Sequence, residues 1–410
     1  ISVPEIMEKT IRQLNAEFGC RIFNISLGDP NLIYSGGKAG AWAGTLDELA
    51  KDLDVLIIVS TGNQKGLSTL GEDVLKQYPS YLLEPSSRLL DPATAANVLT
   101  IGSLAHTNGV TEDDADYVGV IPVCSTDHPS PFTRSGPGIR GMIKPDLVDY
   151  GGTSVWDGPT TSLVGGGAKA SAGVWTFHHD PVNRLFRARS GTSFATPVVA
   201  HKAAILLEQF PNAPANFLRS ILALSADIPS SASEMLSKYG PQASAMLCGN
   251  GVANIDHATT SDDSRVVFFA NDEIGLDRFA VYEVPIPRLF QTTNGTREIK
   301  VSLAFDPPVR RTRADYLGVT MGWRLIRGSS EQDVFDKFRI WEKSEGEPPE
   351  FPARNECKAS PGSQLREKGT LQCATFTAKT NMSAYGDKYF LAVWCRRRWA
   401  PSSVTSQRFS

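Results

Sequence analysis

Several things this chain lacks narrow its function before any motif is considered. No run approaches the roughly 18 to 20 apolar residues that a membrane-spanning helix needs, so no membrane partner is expected. Lys and Arg number 41 against 44 Asp and Glu, a formal net charge of -3, and that balance removes the general electrostatic case for a nucleic-acid partner. The six cysteines, Cys20, Cys124, Cys248, Cys357, Cys373 and Cys395, form no CxxC pair and have no ligand-like spacing with histidine. Neither a metal site nor a disulfide framework is therefore expected, no cofactor is called for, and the spacing leans towards a reducing cytoplasm. Histidine is scarce as well: there are six, and the first is His106.

What is present suggests two domains, because 410 residues exceed one typical core. Up to about residue 225, short apolar runs alternate with helical stretches, the pattern of a parallel sheet with crossover helices. Residues 21–26 (RIFNIS), 54–60 (DVLIIVS) and 97–103 (NVLTIGS) read as buried strands. Helices are expected near 45–53, 71–77, 194–210 and 215–226, and Met7, Ile11, Leu14 and Phe18 share one helical stripe. That helix lies so near Ile1 that a native start further upstream is expected. Residues 255–264 (IDHATTSDDS) read as a linker, after which 265–270, 298–305 and 388–394 alternate like strands and 342–368 reads as a long exposed loop. The expected architecture is α/β over residues 1–260, a parallel sheet with helices on both faces, followed by a smaller β-rich, sandwich-like domain over 261–410.

Ligands of such sheets sit at the carboxyl ends of the strands, which directs attention to Leu27-Gly28-Asp29 and Thr61-Gly62-Asn63. The strongest local signal is Ser190-Gly191-Thr192-Ser193-Phe194-Ala195-Thr196-Pro197, small residues leading into an apolar helix. A serine there has free backbone N–H groups and a favourable dipole beside it, which suits a nucleophile that generates an oxyanion. The same residues, taken alone, also describe an ordinary helix cap.

Gly191 to Pro197 resembles the Gly-Thr-Ser-x-Ala-x-Pro nucleophile motif of the subtilisin-like (S8) serine peptidases, and Val59-Ser60-Thr61-Gly62-Asn63 resembles the segment whose asparagine donates to the oxyanion. Asn24-Ile25-Ser26-Leu27-Gly28 resembles the strand lining the substrate cleft. The resemblance implies a subtilisin-like sheet, Ser193 as nucleophile, Asn63 as oxyanion donor, and Ser26, Leu27, Gly28, Thr61 and Gly62 along a cleft that pairs with a protein or peptide substrate. Arg134-Ser135-Gly136-Pro137 and Ile143-Lys144-Pro145-Asp146-Leu147 resemble intervening family segments, equally readable as plain loops.

The family also needs a base and an orienting carboxylate in the chain order Asp, His, Ser. Both belong before residue 21, where this chain has no histidine. His106, His178, His179 and His201 follow later, and His201 lies eight helical residues past Ser193, about 12 Å away. Asp54 reads as a strand start and Asp146 as a loop residue. The expectation is a serine endopeptidase whose Asp and His come from an upstream segment, the fragment itself being nearly inactive. Two alternatives stand: a peptide-binding pseudo-peptidase, and a sedolisin-type peptidase, against which Asn63 argues because that family resembles this one with an aspartate there. Gly165-Gly166-Gly167-Ala168-Lys169 lacks phosphate-loop spacing and reads as a mobile turn. Arg396-Arg397-Arg398 reads as an exposed strand end. Asn24, Asn294 and Asn381 begin N-x-[ST] sequons, which are frequent by chance. Oligomeric state is left open.

Overall fold

The computed structural model describes residues 2–64, 67–112, 119–344 and 346–410. They form two compact units, one ending at Val267 and the other starting at Phe268.

The first unit opens with helix α1 (Val3–Phe18), strand β1 (Ile22–Ile25), helix α2 (Ala41–Leu53) and strand β2 (Leu56–Ser60). Strands β3 (Leu99–Leu104) and β4 (Leu147–Tyr150) complete a sheet in the order β1-β2-β3-β4. All three pairings are parallel, with Ile22 opposite Leu56, Ile58 opposite Leu99 and Ile101 opposite Leu147. A parallel strand covered on both faces is apolar on both, and every residue of β2 and β3 is buried. On one face Phe23, Ile25, Ile57 and Val59 pack with Ile11 of α1 and Trp42, Leu46 and Leu49 of α2.

A short hairpin, β5 (Val174–Phe177) with β6 (Phe186–Arg189), runs into helix α3 (Thr192–Gln209), which is followed by α4 (Ala215–Leu224). Helix α3 crosses all four strands and buries Ala195, Val199, Ala203 and Leu206 outside the α1–α2 cluster, so it covers the other face. The layout is an α/β sandwich with helices on both faces of a parallel sheet.

Three expectations for this unit change. Residues 71–77 hold only one α-turn, Val74–Gln77, because Gly71 at φ +58° breaks the preceding 3₁₀ segment. Asp54 closes α2 in the left-handed region, and its carboxylate accepts from the N–H of Ala215 at 3.0 Å. Asp146 is buried in an ion pair with Lys144, at 2.5 Å, and also accepts from Thr100 N–H at 2.7 Å. Asp47, Asp146 and Arg219 all act electrostatically on Lys144, a buried charge cluster at the foot of the sheet.

The second unit is β-rich. Strands β7 (Phe279–Pro285), β9 (Val319–Ile326) and β11 (Lys388–Arg397) form one antiparallel sheet, while β8 (Arg297–Ala304) pairs with β10 (Leu371–Ala378). Leu303, Phe305, Met321, Trp323, Phe376 and Val393 share one core between them. Helix α5 (Glu331–Glu342), not anticipated from the sequence, covers Phe338 and Trp341 against Trp394. Residues 265–270 are not a strand: they have no ladder partner, Asp262 folds back on Arg265, and Phe268 and Phe269 stay exposed. The 342–368 stretch, apart from residue 345, which lies outside the described residues, buries Phe351, Asn355, Cys357 and Arg366 and so is more than an exposed loop. Of the arginine triplet, Arg396 and Arg397 give their guanidinium groups to carbonyls and only Arg398 is exposed. Among the described residues no helix is long and apolar enough to cross a membrane.

Candidate active site

The site begins with a glycine. Gly191, at φ +156° and ψ 153°, adopts backbone that residues with a side chain rarely reach, and a Cβ there would stand 3.1 Å from Asn63 Nδ2. This turn starts α3, so Gly191 is the N-cap and Ser193 is the second helical residue. Ser193 is therefore not the capping serine. Its N–H falls in the first turn, where no intrahelical acceptor exists.

The helix is capped instead by Asn63, at the carboxyl end of β2. Its Oδ1 accepts from the Thr192 N–H at 2.9 Å and from the Thr192 hydroxyl at 3.1 Å. Because a backbone N–H can only donate, the atom facing it must be the oxygen, and the amide orientation is settled. The Nδ2 end has no partner among the described residues, so two donor hydrogens are left beside the start of α3.

Ser26, just past β1, closes the third side. Pro197 has no N–H for the carbonyl four residues back, which is that of Ser193, and Ser26 Oγ supplies the missing donor at 3.2 Å. In return Ser193 Oγ donates to the Ser26 carbonyl at 3.3 Å, and Asn24 Nδ2 donates to Ser26 Oγ at 3.3 Å. Ser193, Asn63 and Ser26 are thus brought together by direct or one-residue contacts.

The remaining cleft residues divide. Leu27 is exposed, and β1 is paired on one side only, leaving its other edge without a partner among the described residues. A Cβ on Gly28 would come within 3.3 Å of Leu90. Thr61 is fully buried, donating to the Ile101 carbonyl and accepting from Leu90 N–H, and Gly62 at φ +90° is packed against Leu90 Cδ1. These two present backbone, not side chains.

Around this core lie residues whose part was not legible beforehand. Arg134 donates from Nε to the Asn63 carbonyl at 3.1 Å, and burial lowers its pKa. Ser190 Oγ donates to Ala172 O at 2.9 Å and accepts from Gly166 N–H at 2.8 Å. Gly166 packs so closely on Gly173 that a Cβ would stand 2.4 Å from its Cα, which makes the glycine run a fixed support and not a mobile turn.

No histidine bonds Ser193 among the described residues. His106 and His128 are half-buried, and desolvation lowers the pKa of both. The rings of His178 and His179 lie tilted against each other, centroids 4.2 Å apart, in the β5–β6 connection, and His178 Nδ1 accepts from the Asp180 N–H. His201 is exposed on α3 and His257 sits in a helical turn.

A model of the Subtilase family, peptidases S8, matches residues 3–251. The chain belongs to the subtilase family. The relation marks it as a serine peptidase by descent, and protein or peptide substrates go with that family. The chain is similar to the protein described as "Uncharacterized protein y4bN" of Sinorhizobium fredii (strain NBRC 101917 / NGR234), at 47% identity over 409 residues, 100% of this chain and 95% of that protein. It is also similar to the serine protease AprX of Bacillus subtilis (strain 168), at 24% identity over 201 residues, 49% of this chain and 36% of AprX. Among solved structures, the prenylagaramide maturation protease PagA aligns at 20% identity and TM-score 0.37, over 63% of this chain and 67% of that one. MycP1 with its N-terminal propeptide removed aligns at 18% identity and TM-score 0.36, over 64% and 70%.

Proposed function

We propose that this subtilase is a serine endopeptidase in which Ser193 Oγ attacks the scissile carbonyl of an extended peptide. The carbonyl oxygen becomes an oxyanion held by Asn63 Nδ2 and the Ser193 N–H. The Ser193 proton passes to a base and then to the departing amine, and water releases the acyl group from Ser193. Backbone pairing of substrate along Ser26, Leu27 and Gly28, next to the Thr61-Gly62 turn, sets the register. The observation that carries this reading is the amide of Asn63: both contacts to Thr192 occupy its oxygen, so its donors are left over at the residue next to Ser193.

The base and its carboxylate are assigned to a segment outside residues 1–410, because no imidazole among the described residues bonds Ser193. A second reading, a peptide-binding pseudo-peptidase, draws on the Ser193 hydroxyl being spent on the Ser26 carbonyl. One experiment separates the two. The complete reading frame is expressed and exposed to a fluorophosphonate probe, with the labelled peptide identified by mass spectrometry. Labelling at Ser193, lost in Ser193→Ala, is expected; a folded protein that stays unlabelled refutes the peptidase reading. Residues 1–410 alone should label far more slowly, since removing the histidine from a subtilisin costs about a millionfold in kcat.

A further inference from the structure

Arg134 is buried, with 3% of its surface exposed, and among the described residues its hydrogen bonds all go to main-chain carbonyls. Nε donates to Asn63 O at 3.1 Å, and Nη1 donates to Arg88 O at 2.8 Å and Ser86 O at 3.1 Å. No carboxylate pairs with it among the described residues. A guanidinium withdrawn from water without a counter-ion is expensive, and uncharged donors could close an ordinary turn at lower cost. The location gives the charge a use. Residues 132–134 run beside 63–64, with Gln64 N–H on Phe132 O at 2.8 Å and a bridge between Asn63 and Thr133, while the Arg134 stem passes 3.4 Å from where a Gly62 Cβ would be. Thr133 in turn is fastened to β3 through its hydroxyl, which accepts from Ser103 N–H at 3.1 Å. The Asn63 main chain is therefore held from the sheet by a rigid fork whose planar donors fix the carbonyl direction.

We propose that Arg134 is a positioning residue that acts through Asn63: by fixing the peptide plane of residue 63 it aims the side-chain amide whose oxygen rests on Thr192 and whose donors face the oxyanion. This rests on the reading of Asn63 as the oxyanion donor. Without Arg134 the Asn63 carbonyl loses its partner, the 61–64 turn loosens, and the amide samples orientations that no longer serve the transition state.

The test uses the complete chain with Arg134→Gln, Arg134→Lys, Asn63→Ala and the double variant Asn63→Ala/Arg134→Gln. Arg134→Gln should lower the fluorophosphonate labelling rate, and kcat on a peptide substrate, by roughly 10- to 100-fold with KM within about threefold, less than or equal to the loss of the donor itself. In the Asn63→Ala background the same change should add less than about threefold, because there is no amide left to aim. A full further loss in that background overturns the proposal, since a scaffold role or a direct charge effect would persist there. Arg134→Lys keeps the charge and can reach one carbonyl; its loss should fall between wild type and Arg134→Gln, and it carries the cycle where Arg134→Gln does not fold. Hydrogen exchange gives an arm that needs no catalysis: the Gln64 amide should exchange at least tenfold faster in the variant while β3 keeps its protection. Unchanged exchange at residues 61–64 also overturns the proposal, and it does so even where wild type stays unlabelled, which is the separate failure of the peptidase reading.

Discussion

On the role proposed for Asn63, its replacement by Ala removes one donor from the developing oxyanion, and the geometry sets how the loss should divide. The side chain is exposed and both of its contacts are to Thr192; an oxyanion donor acts chiefly on the transition state, so binding should change little and turnover should carry the effect. Loss of one oxyanion donor costs about 2.7 to 4 kcal/mol, a hundred- to a thousandfold, a magnitude measured in a subtilisin, a member of the same family. Stability should fall by about 1 to 3 kcal/mol, since the Thr192 N–H loses its acceptor at a residue that is fully buried. Asn63→Asp keeps the size and can still accept from Thr192, but it donates nothing and places a negative charge at the oxyanion; its turnover should be at or below that of Asn63→Ala. Thr192→Val removes one of the two contacts that orient the amide, worth about 0.5 to 1.5 kcal/mol, and should cost roughly two- to tenfold. The measurements are labelling rate, kcat and KM on one peptide substrate, and a thermal melt for each variant. An Asn63→Ala rate within threefold of wild type refutes the reasoning, as does a Thr192→Val loss as large as that of Asn63→Ala.

Three further outcomes concern the scaffold. Lys144→Met leaves the Asp146 carboxylate buried without its ion pair and should cost about 3 to 5 kcal/mol, read as the denaturant midpoint of the first unit; Lys144→Met with Asp146→Leu should recover most of it, and no recovery refutes the assignment. His106 has a folded pKa lowered by burial, so protonation favours the unfolded chain: its contribution to stability is full above about pH 6.5 and is lost as pH falls through the lower folded value, and His106→Gln should flatten that slope in melts between pH 7.5 and 5. Burial pushes the Cys124, Cys248, Cys357 and Cys395 thiols up to about 12. At pH 8 roughly one in ten thousand of each is thiolate, so half-buried Cys20 should be the first site alkylated in the native protein, and mass spectrometry finding Cys124 or Cys248 modified at the same rate would refute this.

The sheet could be read because both its faces are covered: β2 and β3 are apolar at every position, and nothing but burial between two layers asks for that. Helix α3 and the turn before it were legible for a local reason, small residues required by the Gly191 backbone within a few positions of Ser193. The residues not legible act over distance. Arg134 meets Asn63 across 71 positions through a main-chain carbonyl, a partner that carries no side-chain signature. The β5–β6 hairpin is inverted with respect to the usual alternation, with Trp175, Phe177 and Phe186 exposed while Val174, Thr176 and Arg187 are half-buried, so a hydrophobic pattern cannot assign its faces. Residues 265–270 show the reverse error: Val266, Val267, Phe268 and Phe269 are all residue types that favour strands, but a strand exists only where a neighbouring backbone is free to pair.

Pro197 looks like a defect, since an interior helix proline costs about 3 kcal/mol or more through its lost N–H and the clash with the carbonyl four residues back. Here that carbonyl belongs to Ser193, and its missing donor comes from Ser26, just past the end of β1. The cost is partly offset by this contact, which gives the Ser193 carbonyl the donor that an N–H at residue 197 would otherwise supply. The consequence is positional. The strand that would pair with a substrate backbone is fastened to the residue that would attack it, through one hydroxyl in each direction. Any register taken by a peptide along Ser26, Leu27 and Gly28 is therefore a register relative to Ser193, and Ser26→Ala, which removes the donor but leaves the Ser26 carbonyl, loosens that coupling while sparing the strand.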